Sequence, residues 1–218
     1  MAKSASLPDE TAVSAHAQSL GQILDAQQGK KLTTYLRLLH QWNRRVNLVG
    51  PDHWQTILTR LVADSWHLAR LLETLSWPRT MQTLDLGAGA GLPGLPLRLF
   101  WSHGTYTLVE IRQKRVAFLH NALAQMELPQ TTIHHGRAEE LPDSFLPAQL
   151  VLSRAFLPWP KLLPLAASLL ATSGRLIILS NTPATPEMFD DTARLVTVHS
   201  YYIENQPRFF WVLESLDP

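Results

Sequence analysis

Cysteine is absent from this 218-residue chain, which excludes disulfides and thiolate metal sites. No stretch approaches the ~20 apolar residues needed to span a bilayer. The opening Met1-Ala2-Lys3-Ser4-Ala5-Ser6 carries no apolar core of a secretory signal. An excess of one charge is also missing, since 19 Lys/Arg against 18 Asp/Glu leave a net charge of +1, too little for a strongly electrostatic nucleic-acid binder. Any basic footprint is therefore local: residues 1–80 hold nine Lys/Arg against six Asp/Glu, and residues 81–218 hold ten against twelve. Repeats and low-complexity tracts are lacking too. What remains, 45% hydrophobic and 17% charged, describes an ordinary globular chain able to bury a core, with a cytoplasmic location and a monomeric state as expectations.

The most informative stretch runs from Thr83 to Gly94, where a short apolar run ends in an acid and then dissolves into glycine. A strand that turns sharply into a helix needs such glycines, for unusual dihedrals and for close approach of a ligand to bare backbone. Two cofactor classes use this turn. Gly89, Gly91 and Gly94 satisfy the dinucleotide pattern G-x-G-x-x-G, with Glu110 at the distance of a ribose-binding acid. In a second register, Asp85-x-Gly87-x-Gly89-x-Gly91 places the acid at the strand end, as in S-adenosylmethionine (SAM) methyltransferases, and Glu110 again serves the ribose. Asp85 separates the two. A carboxylate repels a pyrophosphate but favours the ammonium and sulfonium of SAM, so the methyl-donor register leads.

Residues 1–18 lack a sustained period and read as a disordered lead-in. Residues 19–80 form a helical unit, in which Gln28 to Asn43 and Trp54 to Leu75 repeat apolar residues at helical spacing. From residue 81 to 218, β-like runs at Thr83–Leu86, Tyr106–Glu110, Thr131–His135, Leu150–Ser153 and Arg175–Ser180 alternate with helices at Leu92–Phe100, Lys114–Met126 and Lys161–Leu170. Alternation of this kind implies an α/β fold: a parallel sheet covered on both faces, with ligands at the carboxyl ends of its strands. The β-rich runs Val196–Ile203 and Arg208–Glu214 predict a closing hairpin, hence a mixed, seven-stranded, Rossmann-like sheet of the class I methyltransferase type.

Further motifs lie along this frame. They are Trp42-Asn43-x-x-x-Asn47-Leu48, Asp64-Ser65, Leu92-Pro93-Gly94, Lys114-Arg115-Val116-x-Phe118-Leu119, Arg137-x-Glu139-Glu140, Ser153-Arg154-Ala155-Phe156, Gly174-Arg175 and Arg208. With them the chain, from about Gln28 to its C-terminus, resembles the bacterial small-subunit (16S) ribosomal RNA guanine-N7 methyltransferase family, also called glucose-inhibited division protein B. The resemblance implies SAM as cofactor and 16S ribosomal RNA or a small-subunit particle as partner. Gly87 and Leu92 would line the cofactor site, Ala138 and Glu139 flank its adenine end, and Arg154 close it or position the substrate nucleotide. The residues themselves agree in placement, because Ala138 and Glu139 follow the third strand and Arg154 ends the fourth. Structural roles compete: Glu139 and Glu140 as helix caps, Arg137 and Arg154 as ion pairs, Trp42 as core.

His134 and His135 are neighbours on a strand and point to opposite faces, so no metal site is expected. Arg112, Lys114 and Arg115, together with Lys30-Lys31 and Arg44-Arg45, read either as solvated helix faces or as a basic surface for structured RNA. The chain departs from the family pattern at Arg60-Leu61, where Arg-His is common, and at Ser180-Asn181, where Lys-Gly is common. The expected activity is methyl transfer from SAM to guanine N7. The rivals are a same-fold methyltransferase on another RNA or small molecule, a non-catalytic SAM-binding RNA or ribosome assembly factor, and a nicotinamide-dependent oxidoreductase.

Overall fold

A computed structural model of the chain describes residues 7–189 and 193–215. The helical part begins earlier than the sequence reading expects. Residues 1–6 of the expected disordered lead-in lie outside the described residues, but Glu10–Ser19 is a helix (α1). Asp9 caps it by accepting from the Ala12 N–H at 2.8 Å, and Val13 and Ala17, one turn apart, bury against the helix that follows. Only two buried positions in ten make a stripe too narrow to stand out from the surrounding Ala, Ser and His.

Helix α2 (Ala26–Val46) opens with a reciprocal capping box between Asp25 and Gln28, and it closes at Asn47 in the left-handed conformation (φ 51°). Its stripe of Leu32, Tyr35, Leu36 and Leu39 is fully buried. Asn43 ties down the connection that follows: its amide donates to the Val49 carbonyl at 2.9 Å and its oxygen accepts from the Val49 N–H at 2.8 Å. The next segment, Trp54 to Thr74, is continuous but not uniform. Short α3 (Trp54–Ile57) passes through a π-helical stretch, Leu58–Val62, into α4 (Ala63–Thr74). A π turn releases backbone carbonyls from the regular ladder, and one of them finds a partner described below.

The remainder alternates as expected: β1 (Gln82–Leu86), α5 (Gly94–Phe100), β2 (Thr105–Glu110), α6 (Gln113–Met126), β3 (Thr131–His135), β4 (Ala148–Arg154), α7 (Trp159–Leu169) and β5 (Leu170–Ser180). A hairpin of β6 (Ala193–Ile203) and β7 (Gln206–Ser215) follows, turned by Glu204 and Asn205, both at positive φ. The seven strands lie in the order β3-β2-β1-β4-β5-β7-β6, with β7 antiparallel to both neighbours and the others parallel. This is the mixed seven-stranded sheet the sequence predicts.

Two apolar layers cover the sheet. Helices α1 to α6 share one core with Tyr106, Leu108, Leu150 and Leu152, while α7 packs on the other face against Leu84, Leu86, Val109 and Val151. The helical unit and the sheet therefore form a single continuous core, not two separate ones. The order of strands reverses direction between β1 and β4, and the crevice outside their carboxyl ends is where such sheets bind ligands. Among the described residues, no helix is long and apolar enough to cross a membrane.

Candidate active site

The glycine loop fills the space between β1 and α5 and is held from both sides. The Tyr35 hydroxyl of α2 donates to the Ala90 carbonyl at 2.9 Å, and the Ser65 hydroxyl of α4 donates to the Pro93 carbonyl at 3.0 Å. Gly94 is required by close packing: a Cβ there would collide with the Asp85 carboxylate and stand 2.8 Å from Leu108 and 3.0 Å from the Tyr106 hydroxyl. Gly87 is required twice over, by its positive φ of 68° and by the Phe156 ring, which would lie 2.5 Å from an added Cβ.

Glu110, at the carboxyl end of β2, fastens three strand ends together. One carboxylate oxygen accepts from the Gly89 N–H at 2.9 Å and the other from the Arg112 N–H at 2.8 Å, while its carbonyl accepts from the Gly136 N–H at 3.2 Å. Arg115 adds a guanidinium at 3.8 Å. The carboxylate is only 4% exposed yet borders a cavity of about 300 Å³, walled by Gly87, Val109, Ile111, Arg137, Ala138, Glu139 and Phe156 among others. Of the residues singled out in the sequence, Gly87, Glu110, Ala138 and Glu139 thus meet at one cavity, with Gly89 bonded to its acid. Leu92 turns instead into the core beneath the loop.

Nothing in the sequence marks Ile111 and Phe156 as wall residues. Ile111 is an isoleucine left 49% exposed immediately after a buried acid, a contrast that only the structure reveals. The adjacent histidines each have an ordinary partner: His134 packs edge-on against Phe145, and a ring nitrogen of His135 lies 3.2 Å from the Ile111 carbonyl.

Asp85 and Arg154 fall outside the cavity wall, contrary to the expected placement. Both point to the sheet face covered by the helical unit, as the two-residue period of a strand requires: Asp85 pairs in register with Leu152, and Arg154 lies two residues further on. Asp85 accepts from the Tyr106 hydroxyl at 2.9 Å beneath the loop. Burial pushes its pKa up to about 7, opposed by the Tyr106 hydroxyl, the Arg154 charge and the Gly94 N–H. The ligand's cationic end would therefore feel this acid through the loop and not by direct contact.

A stability profile checks this placement. Between about pH 4 and pH 7 the native state holds a proton that the unfolded chain has released, so stability falls as pH rises through that window, by up to about 4 kcal/mol. The difference in stability between Asp85→Asn and the unaltered protein should grow in the variant's favour from pH 4 to pH 7. A difference independent of pH would show that the carboxylate is ionised throughout.

The partly buried Arg154 pairs with the buried Asp64 of α4 at 2.9 Å and donates to the Leu61 carbonyl at 3.2 Å, one of the carbonyls in the π-helical stretch. The Tyr201 hydroxyl of β6 donates to the same Asp64 at 2.8 Å. Burial raises the Asp64 pKa, while Arg154, Tyr201 and Arg208 act against that rise. One carboxylate thus ties the helical unit to β4 and to the hairpin. At the end of β5, Arg208 donates to the Asn181 side chain at 2.8 Å, so a guanidinium stands at this strand end.

The chain is similar to known proteins. Residues 28–205 match the GidB family, described as rRNA small subunit methyltransferase G. The "Ribosomal RNA small subunit methyltransferase G" of Oleidesulfovibrio alaskensis is 38% identical over 99% of this chain and 98% of its own length. The protein of the same name from Nitratidesulfovibrio vulgaris (strain DP4) is 46% identical over 84% of this chain and 83% of its own. Among solved structures, TrmN from Thermus thermophilus shares the fold with a TM-score of 0.52 at 21% identity, over 70% of this chain and 48% of that one. With the match covering most of its length, the chain belongs to the GidB family of rRNA small subunit methyltransferase G proteins.

Proposed function

We propose that this chain transfers a methyl group from SAM to N7 of a guanine in small-subunit ribosomal RNA. The observation that carries the cofactor half of this reading is Glu110, a buried carboxylate at a strand end, prepaid with two backbone N–H donors and open to a cavity. Each carboxylate oxygen keeps a lone pair free to accept from a vicinal ribose hydroxyl. Ile111 and Ala138 offer apolar surface to a purine, and Glu139 offers an acceptor for an exocyclic amino group. Gly87 lines the same cavity beside the Phe156 ring. A cavity of about 300 Å³ with a few convergent polar groups suits a nucleoside-sized ligand.

When bound, SAM supplies a methyl group on a positively charged sulfur. Guanine N7 presents a lone pair and carries no proton, so the chain needs no general base. Its residues have to hold both partners in line and exclude water, which is catalysis by positioning. The Asp64–Arg154–Tyr201 tie supports that task by fixing the helical unit over the crevice, which makes Arg154 a positioning residue. Membership of an rRNA small subunit methyltransferase family supports the acceptor half.

Thermal unfolding tests the cofactor half. SAM at a hundred times its dissociation constant should stabilise the protein by about 2.7 kcal/mol. NAD at the same concentration should leave the midpoint unchanged, and the reverse pattern would turn the reading toward a nicotinamide enzyme.

A further inference from the structure

Helices α2 and α6 pack side by side and run antiparallel. Near one end the Lys31 ammonium donates to the Glu127 carbonyl at 3.0 Å, and near the other the Trp42 ring meets Phe118 with centroids 5.9 Å apart. The C-terminus of α2 therefore lies beside the first turn of α6, which starts at the cofactor cavity. Neither helix contains an Asp or Glu, although the chain as a whole is nearly neutral. Lys114 and Arg115 occupy the first turn of α6, where the helix dipole disfavours cations, so helix stability does not account for them.

Most cations of this face are free of acids. Among the described residues, Arg37, Arg44, Arg45, Arg112, Lys114 and Arg137 have no carboxylate within 4.0 Å, while Arg115 has Glu110 at 3.8 Å. Arg37, Arg44 and Arg45, with His40, Gln41 and a single apolar residue, Leu7, wall an open groove of about 600 Å³ along α2. Arg37 is steadied there by donating to the Pro8 carbonyl at 2.7 Å. Arg112 and Arg137 border the cofactor cavity itself. At 1.5 Å per residue, the path from Arg37 to Arg45 covers roughly 12 Å of helix, room for more than one phosphate.

We propose that the α2 groove, continued across the first turn of α6 to the cavity mouth, binds the sugar-phosphate backbone of the RNA substrate and aims the target base at the cavity. This rests on the RNA methyltransferase reading above. A membrane surface fits less well, because a basic helix that lies on lipid needs an exposed apolar face, and the apolar face of α2 is buried in the core. Unpaired arginines without base-reading geometry fix register and orientation, leaving sequence choice to the site.

The test uses the full chain carrying Arg44→Ala and Arg45→Ala together. Its control carries Arg79→Ala and Lys161→Ala, which remove two exposed cations elsewhere. Binding of small-subunit ribosomal RNA is measured across a salt series, alongside SAM binding by thermal shift. Loss of two phosphate contacts should weaken RNA binding about tenfold or more at low salt and flatten the salt dependence by about two ions. The SAM shift should be unchanged, and the control should behave as the unaltered protein.

Equal affinity and slope in both variants would overturn the proposal, as would capture of anionic lipid vesicles in place of RNA. The functional reading fails separately: RNA bound with the expected slope but never methylated would retain the surface and sink the reaction.

Discussion

Replacing Glu110 with Ala should abolish the stabilisation of the protein by SAM and raise the cofactor's dissociation constant at least about a hundredfold. Hydrogen bonds to a charged group contribute about 1.5–3 kcal/mol each, and in the proposed binding mode two ribose hydroxyls would depend on this carboxylate. The same change orphans the Gly89 and Arg112 N–H groups, so the unliganded protein should also lose stability. Glu110→Gln separates the two effects, because its amide oxygen can still accept from one N–H while the charge is gone. Titration of both variants by calorimetry checks this. Cofactor affinity within a few-fold of the unaltered protein would remove Glu110 from the binding site.

Arg154→Ala should cost stability, up to the scale of a broken buried ion pair at about 3–5 kcal/mol, because Asp64 would stay buried with only the Tyr201 hydroxyl and the Arg208 charge against it. For a chain of this size the melting midpoint should fall by roughly 6–20 °C. Asp64→Asn in the Arg154→Ala background should recover part of the loss, since a neutral amide no longer needs the guanidinium. The double-mutant cycle isolates that coupling. An unchanged midpoint with weakened binding of SAM or RNA would instead make Arg154 a ligand contact, which is what its strand-end position alone suggests.

Much of this frame is legible in the sequence because its signals are local. The expected run Thr131–His135 coincides with β3, and the other β-like runs lie inside the observed strands. Glycines after a strand mark the turn, and an acid at the next strand end marks Glu110. What the sequence conceals is the partner across space. Period-two alternation puts Asp85 and Arg154 on the same face as Leu150 and Leu152, but nothing local says that α4 and the hairpin cover that face with Asp64 and Tyr201.

Helix α1 was hidden for a related reason: its two buried residues acquire meaning only against α2. The π-helical stretch is invisible in the apolar pattern, since its buried Leu58 and Val62 still stand four residues apart, as in an α-helix. At β5, the residues before Arg175 extend the element beyond the apolar run Arg175–Ser180: Leu170 pairs with Ala148 of β4, and a register irregularity separates it from the regular pairing that starts at Arg175.

The most direct measurement is transfer of radiolabelled methyl from SAM to small-subunit particles that lack their native N7-methylguanine, followed by mapping of the modified base. The expected result is incorporation at N7 of one guanine, lost in Glu110→Ala. Absence of transfer by protein that binds SAM, or transfer to a different atom or to another class of acceptor, would contradict the account.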